Sequence, residues 1–209
     1  MMIIFKDRVD AGKKLADLIV HSYFFKKLKQ KKDLVIVSLL RGGVVVGHQI
    51  ALELNIKNLP LSVVKISSPE NNELAIGAVC FSEVYWKKEV LNSQSFSDAE
   101  KKYQFEKAKE KFFFYCQRFK IEEKGFEQLK DKVVVLVDDG IATGATTCAS
   151  FYFLKTKKPK TIVLASPVAP FDFKNPGFDQ VFFYHQEKDF SAISQFYEDF
   201  SSVEIDKIQ

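Results

Sequence analysis

Short apolar runs without polar alternation constrain the fold of this chain more than any other feature. Four of them are rich in Val, Ile, Leu or Phe and are separated by helical or polar segments: DLVIVSLL (33–40), KVVVLV (132–137), KTIVLASP (160–167) and DQVFFYH (179–185). A strand with no alternation is buried on both faces, as in a parallel sheet that helices cover. The sequence therefore predicts an α/β fold with a mostly parallel sheet flanked by helices.

Several segments have features of helices. Residues 10–28 place apolar side chains at helical spacing, and a second helix is expected directly after the Arg-Gly-Gly sequence at 41–43. Ser97 with Glu100 three positions later is a capping-box pattern, which marks the start of a third helix. Its aromatic-rich stripe has 3-4-3-4 spacing and is expected to face the core: Phe105, Ala108, Phe112, Tyr115 and Phe119. Residues 145–155 are expected to form a fourth helix.

The remaining segments have the character of strands or loops. Residues 59–67 are interpreted as one further strand, and residues 73–86 alternate loosely, as a short strand pair would. Residues 87–97 are polar and poorly periodic, so we expect a mobile loop there.

Composition excludes several classes of protein. The net charge of +4 suits a small anionic ligand but is far from that of a dedicated nucleic-acid binder, so no nucleic-acid partner is expected. The three cysteines are widely spaced and include no CxxC pair, which favours reduced thiols over a disulfide framework or a zinc site. No apolar run approaches the ~20 residues of a membrane span, and the first residues do not have the pattern of a signal peptide. We expect a cytoplasmic protein with no membrane partner.

Two adjacent carboxylates follow one of the apolar runs. The stretch VVVLVDDGIATGATT (133–147) begins as a buried strand, continues through Asp138 and Asp139, and ends in small hydroxyl residues around Gly144. It contains neither the GK[ST] of a Walker A loop nor the G-x-G-x-x-G of a Rossmann fold. In α/β sheets, ligands bind where such strands end.

The second half of this stretch has the composition of an anion site. Residues 143–147 lie where a loop enters a helix, so backbone amides and threonine hydroxyls can face a phosphate. The carboxylate pair can accept hydrogen bonds from vicinal hydroxyls or help to hold a divalent cation. Together, the acids and the amides are suited to a sugar 5-phosphate.

The same stretch resembles the motif by which type I phosphoribosyltransferases bind phosphoribosyl diphosphate (PRPP). The resemblance extends over most of the chain. Five further segments together resemble a bacterial subgroup of uncharacterised phosphoribosyltransferases: FKDRVDAGKKLADLI, SLLRGGVVVGHQIALEL, NNELAIGAV, SPVAP and FSAISQFYEDF. It implies a type I phosphoribosyltransferase fold in a single domain of residues 1–209, with a core at about 30–185. The N- and C-terminal segments would form a small hood. Many enzymes of that family are dimers, and the 21 phenylalanines leave room for an interface.

The resemblance also implies roles for individual residues. Asp138 and Asp139 would bind the ribose hydroxyls and, partly through the ligand, Mg²⁺; they would be catalytic together with Arg41 and Lys65. Arg41, after the first core strand, falls where the family binds pyrophosphate, and Lys65 matches a lysine of the subgroup. The residues expected to bind PRPP are Arg41, Gly42, Gly43, Lys65, Asp138, Asp139, Gly140, Ile141, Ala142, Thr143, Gly144, Ala145, Thr146 and Thr147.

Two positions depart from related sequences. Ala142 stands where 6-oxopurine enzymes have an acid that acts on the base, and Val64 replaces an arginine that the subgroup usually has before its lysine. The loop through residues 82–97 would serve as a lid that keeps water from the reacting ribose.

The implied function is that of a Mg²⁺-dependent phosphoribosyltransferase, a pentosyltransferase of nucleotide metabolism. It would transfer 5-phosphoribosyl from PRPP to a small nitrogenous acceptor, such as a nucleobase, and release pyrophosphate. One alternative is a non-catalytic regulatory protein that senses PRPP or a nucleotide. Another is a hydrolase of phosphorylated sugars.

Overall fold

A five-stranded parallel sheet is built, in spatial order, from residues Asn58–Leu61, Leu34–Leu39, Val133–Val137, Thr161–Pro170 and Gln180–Glu187. In chain order the strands are β1 (Leu34–Leu39), β2 (Asn58–Leu61), β3 (Val64–Ser67), β4 (Ala75–Cys80), β5 (Glu83–Trp86), β6 (Val133–Val137), β7 (Thr161–Pro170) and β8 (Gln180–Glu187). The helices are α1 (Arg8–His21), α2 (Tyr23–Lys26), α3 (Gly42–Leu54), α4 (Lys88–Ser93), α5 (Asp98–Arg118) and α6 (Ala145–Thr156). Every residue of β1 and β6 is buried, as their unbroken apolar sequences require. The predicted α/β class is confirmed.

The computed structural model describes residues 3–28 and 33–204 and divides the chain into two units. The first unit (Met1–Leu61, Leu129–Ala142 and Lys158–Gln209) contains the parallel sheet with α1, α2 and α3. The second unit (Ser62–Gln128 and Thr143–Lys157) contains an antiparallel sheet of β3, β4 and β5 with α4, α5 and α6. The expected beginning of the core at about residue 30 lies outside the described residues.

The segment 59–67, expected to be one strand, is two. β2 pairs in parallel with β1, whereas β3 pairs antiparallel with β4 in the other sheet. The break between β2 and β3 does not show in the sequence, because both strands are partly buried and their apolar residues follow one another without interruption. Only the neighbouring strands with which they pair distinguish β2 from β3. The strand pair expected in 73–86 is confirmed as β4 and β5.

The helix expected over 10–28 is interrupted at Ser22. The backbone of Ser22 is extended, and its hydroxyl donates to Ile19 O at 2.6 Å and accepts from Phe25 N at 3.1 Å. One serine therefore ends α1 and caps α2.

The loop expected over 87–97 contains a helix, α4, so that expectation is wrong in part. No residue of α4 is buried, and a short helix with no core-facing side chain leaves no apolar period in the sequence. Its first turn is closed by the carbonyl of Lys87, which accepts from the amides of Val90 and Leu91.

The third expected helix, α5, begins as predicted, but of the expected stripe it buries only Ala108 and Phe112. The Ser97 hydroxyl accepts from Glu100 N, and the Glu100 carboxylate accepts from Ser97 N, which confirms the capping box. The buried positions are spaced by four residues: Gln104, Ala108, Phe112 and Cys116. Phe105, Tyr115 and Phe119 are only partly buried, because they lie at the border of that face.

The N- and C-terminal segments pair with each other in the first unit. The amides of Ile4 and Phe5 donate to Phe196 O at 3.0 Å, and Glu198 N donates to Phe5 O at 2.9 Å. Phe5 and Phe196 share a small core with Val168 of β7. A hood built from these segments remains a proposal.

Among the described residues, no helix combines the length and the apolarity needed to cross a membrane.

The Ser97 cap can be tested by substitution. Ser97→Ala should lower the free energy of unfolding by about 1 kcal/mol, because the amide of Glu100 loses its hydroxyl acceptor. Ser97→Thr keeps the hydroxyl and should cost less. Urea unfolding monitored by circular dichroism measures both, and equal effects of the two substitutions would contradict the capping role.

Candidate functional site

Two neighbouring strands of the parallel sheet end at the same edge. The pairing of β1 with β6 aligns Ser38 with Val137, so the turn after β1 and the acids after β6 come together. A methyl group on Gly42 would overlap the Asp139 carboxylate and approach Arg8 Nε to 2.6 Å. One on Gly43 would lie 2.8 Å from Val137 O. The glycines are therefore needed for close approach between the turn and the strand end.

The side chain of Asp139 is held by Arg8. Arg8 Nε donates to Asp139 Oδ2 at 2.6 Å, and Arg8 Nη1 donates to Ser201 O at 2.8 Å. The guanidinium carbon lies 3.8 Å from the centre of the Phe200 ring. The Tyr197 hydroxyl donates to the backbone carbonyl of Asp139 at 2.6 Å. The C-terminal segment therefore contacts Asp139 directly through Tyr197, and it also holds Arg8, the partner of the Asp139 carboxylate.

Asp138 lies beside this ion pair and is partly buried. Its Oδ1 accepts from the backbone amide of Asp139 at 2.9 Å. Burial, and then the negative charge of Asp139, raise the pKa of Asp138 well above its ordinary value, against a smaller opposing effect of Arg8. Burial also raises the pKa of Tyr197, which therefore stays a hydrogen-bond donor.

Arg41 and Lys65 belong to different units. Arg41 precedes α3, and its Nη1 donates to the carbonyl of Val203 in the C-terminal segment at 3.0 Å. Lys65, on β3, is partly exposed and lies 3.5 Å from the carboxylate of Glu73. Glu73 is thus the acidic partner of Lys65.

Residues 140–147, a loop and the start of α6, are rich in glycine and threonine, and their first part, through Ala142, belongs to the first unit. Gly140 is packed so closely that a methyl group would overlap Ile193, and Ile141 is buried with its amide donating to Val168 O at 2.9 Å. Ala142 is exposed and has no ionisable group.

The helix start that follows belongs to the second unit. Gly144 has φ 72°, a left-handed conformation that favours glycine, and its carbonyl accepts the first helical bond of α6 from Cys148 N. The amides of Ala145 and Thr146 precede that bond, in the helical turn that lacks internal acceptors. The Thr147 hydroxyl is buried and has no hydrogen-bond partner among the described residues. Lys87 Nζ donates to Thr143 O at 3.1 Å and brings a positive charge to the loop.

The carboxylates alone are a poor cation site. No group of three or more His, Cys, Asp or Glu that could hold a metal occurs within residues 3–28 and 33–204. Asp139 is already paired with Arg8, so a divalent cation would need oxygen atoms from a ligand. Mg²⁺ suits this arrangement, because it commonly combines one or two carboxylates with substrate phosphates and water.

Sequence reasoning missed Arg8 and the contact of Tyr197 with Asp139. Arg8 lies in the segment FKDRVDAGKKLADLI, which carries part of the family resemblance, but 131 positions separate it from Asp139. No spacing rule connects residues so far apart.

Comparison with known proteins identifies the family. Residues 7–177 match the phosphoribosyl transferase domain, so the chain belongs to the phosphoribosyl transferase family. Two Mycobacterium tuberculosis proteins, from strains CDC 1551 and H37Rv, whose names propose them to be phosphoribosyl transferases, are each 29% identical over 216 residues. The match covers 99% of this chain and 46% of each relative, so the chain spans about half the length of these curated relatives.

Two solved structures share the fold. The crystal structure of TT1426 from Thermus thermophilus has a TM-score of 0.71 and 27% identity, over 99% of this chain and 96% of that one. A hypothetical protein from Neisseria gonorrhoeae with bound ppGpp has a TM-score of 0.52 and 15% identity, over 90% and 85% of the two chains. The second likeness concerns the fold alone.

The close approach at Gly42 can be tested against an unconstrained glycine. Gly42→Ala should lower the free energy of unfolding by about 1–3 kcal/mol, because the methyl group displaces Arg8 or Asp139. Gly125→Ala is the matched control, since nothing lies within 4 Å of its added methyl group. It should stay within about 0.5 kcal/mol of the parent. Equal stability of the two variants in urea would contradict the packing described above.

The environment of Asp138 should make stability depend on pH. A carboxyl whose pKa is raised by folding stabilises the protein fully below its unfolded pKa of about 3.9, and this contribution is lost as pH rises through the folded pKa. Asp138→Asn keeps the acceptor for Asp139 N and removes the charge. It should be more stable than the parent at pH 7, by about 1–2 kcal/mol, with the difference shrinking towards pH 4. Urea titrations of Asp138→Asn and the parent at pH 7 and pH 4 measure this difference. A variant less stable than the parent at pH 7, or a difference that is the same at both pH values, would contradict the raised pKa of Asp138.

Proposed function

We propose that the protein transfers a 5-phosphoribosyl group from PRPP to a nitrogenous acceptor and releases pyrophosphate. The observation that carries this is the pair Asp138 and Asp139 after β6, packed against the glycine turn that follows β1. Membership of the phosphoribosyl transferase family supports it.

The proposed roles follow from the chemistry of each group. Carboxylates accept hydrogen bonds from the ribose hydroxyls, which assigns the sugar to Asp138 and Asp139. Amides at the start of α6, with the threonine hydroxyls, suit the 5-phosphate. The turn of Gly42 and Gly43 suits the diphosphate, for which Arg41 would provide a bidentate donor.

The reaction demands little covalent chemistry from the protein. The bond between the anomeric carbon and the diphosphate oxygen breaks, a bond to the acceptor nitrogen forms, and that nitrogen loses a proton. Positive charge develops on the ribose and negative charge on the leaving group, so Arg41 and Lys65 would act by charge neutralisation. Lys65 can exchange its exposed pairing with Glu73 for a phosphate at little cost. Bound Mg²⁺ would supply further neutralisation of the diphosphate.

The acceptor is constrained at one position. Ala142 carries no group that could donate or accept a proton, which argues against a 6-oxopurine handled by an acid there. We propose a nucleobase or other nitrogenous acceptor that does not require such an acid.

A second candidate is a PRPP or nucleotide sensor without catalysis. It is favoured by the contact of Arg41 with Val203, which occupies a group that would neutralise the leaving diphosphate. A sensor would bind PRPP without releasing pyrophosphate.

Calorimetric titration of Mg²⁺ and PRPP tests the proposed function. The parent should bind, and the double variant Asp138→Asn/Asp139→Asn should bind about 100-fold more weakly, because both ribose contacts lose their charge. Asp172→Asn, at an exposed acid after β7, is the control and should bind as the parent does.

Screening nucleobases for pyrophosphate release then separates the candidates. Release that depends on a base supports the transferase, and binding without release supports the sensor. Loss of PRPP without any acceptor indicates a hydrolase. No binding of PRPP by the folded parent protein would contradict both the transferase and the PRPP sensor.

A further inference from the structure

Arg8 contacts the proposed sugar-binding carboxylate from outside the PRPP motif. Its side chain is 11% exposed and that of Asp139 is 13% exposed, so their 2.6 Å contact is largely shielded from water. Charge-assisted hydrogen bonds are strong in such surroundings, and the planar guanidinium fixes their direction.

Arg8 is itself held in place at other points. Its Nη1 donates to Ser201 O, while Phe200 covers one face of the guanidinium at 3.8 Å. Asp7, the preceding residue, caps α1 by accepting from Asp10 N, which fixes the backbone from which Arg8 projects. The position of the guanidinium is therefore determined by both the N- and the C-terminal segments.

This arrangement leaves one oxygen of Asp139 that Arg8 does not occupy. Arg8 Nε donates to Oδ2, and the Asp138 carboxyl lies within hydrogen-bonding distance of the Asp139 side chain, so a ribose hydroxyl would approach Oδ1 with both acids close by. Gly42 closes the space beside the carboxylate, since even a methyl group there would overlap it. Rotation of the carboxylate would break the bond to Arg8, so the direction of Oδ1 is fixed before any ligand binds.

We propose that Arg8 is a positioning residue, which orients Asp139 so that Oδ1 can accept a hydrogen bond from a ribose hydroxyl. The inference rests on the proposed function. It adds a residue outside the motif and makes sugar affinity depend on the C-terminal segment through Phe200 and Ser201.

A purely structural role for Arg8 makes a different prediction. If Arg8 only tied the chain termini together, its loss would lower stability and weaken every ligand alike. If it positions Asp139, its loss should weaken ligands that contain the ribose and leave binding of phosphate alone unchanged.

The test is a double-mutant cycle with two probes, ribose 5-phosphate and inorganic phosphate. Arg8→Met should weaken ribose 5-phosphate binding about tenfold and leave phosphate binding as in the parent. In the Asp139→Asn background, Arg8→Met should have little further effect, because the two residues act through one contact.

Lys14→Met is the matched control. Lys14 lies on the same helix and also anchors the N-terminal segment, through a 2.8 Å bond to Ile4 O. Its ammonium contacts Asp10 and the Phe5 ring rather than the Asp139 carboxylate. It should bind both probes as the parent does. A loss of ribose 5-phosphate affinity equal to that of Arg8→Met would overturn the proposal, since anchoring alone would explain it.

Arg8→Lys keeps the proposal testable if Arg8→Met does not fold. Lysine keeps the charge but lacks the planar fork, so ribose 5-phosphate binding should weaken severalfold, with phosphate binding unchanged. Parent-like affinity for ribose 5-phosphate in either Arg8 variant overturns the role of Arg8 alone. Absence of ribose 5-phosphate binding in the parent contradicts the proposed function, and the inference with it.

Discussion

The parallel pairing of β1 with β6 is the constraint on which the rest of the site depends. It places the carboxyl ends of two adjacent strands at the same edge, so the glycine turn after β1 and the two acids after β6 meet without any long-range side-chain pattern. Both strands lie in the interior of the sheet, and every residue of each is buried. Gly42 and Gly43 then have no room for a side chain.

Bringing acids together at that edge is unfavourable in the absence of a ligand. Asp138 is partly buried next to a second carboxylate, and its raised pKa reflects that cost. The ion pair of Arg8 with Asp139 offsets part of it and recruits the terminal segments, whose pairing through Phe5 and Phe196 belongs to the same small core. Such local instability is common at functional sites, where the geometry that suits a ligand differs from the most stable one.

The family and the site address different questions. The match over residues 7–177 establishes the phosphoribosyl transferase family, but one fold supports many functions, and the choice of acceptor is made by a few side chains. On the proposed function, Ala142 narrows that choice, because its side chain carries no acid. The match covers 46% of each curated relative, so the chain spans about half of their length.

The sequence by itself determined the α/β class, the capping box of α5 and the position of the acidic motif, because these depend on local periodicity and on residue types within a few positions. It could not divide 59–67 between two sheets, since a buried strand has the same composition whichever neighbour it pairs with. It could not detect α4, which buries no side chain and so leaves no apolar period. Only the tertiary structure brought Arg8 to Asp139, because a contact between residues 131 positions apart is set by the packing of whole elements rather than by local pattern.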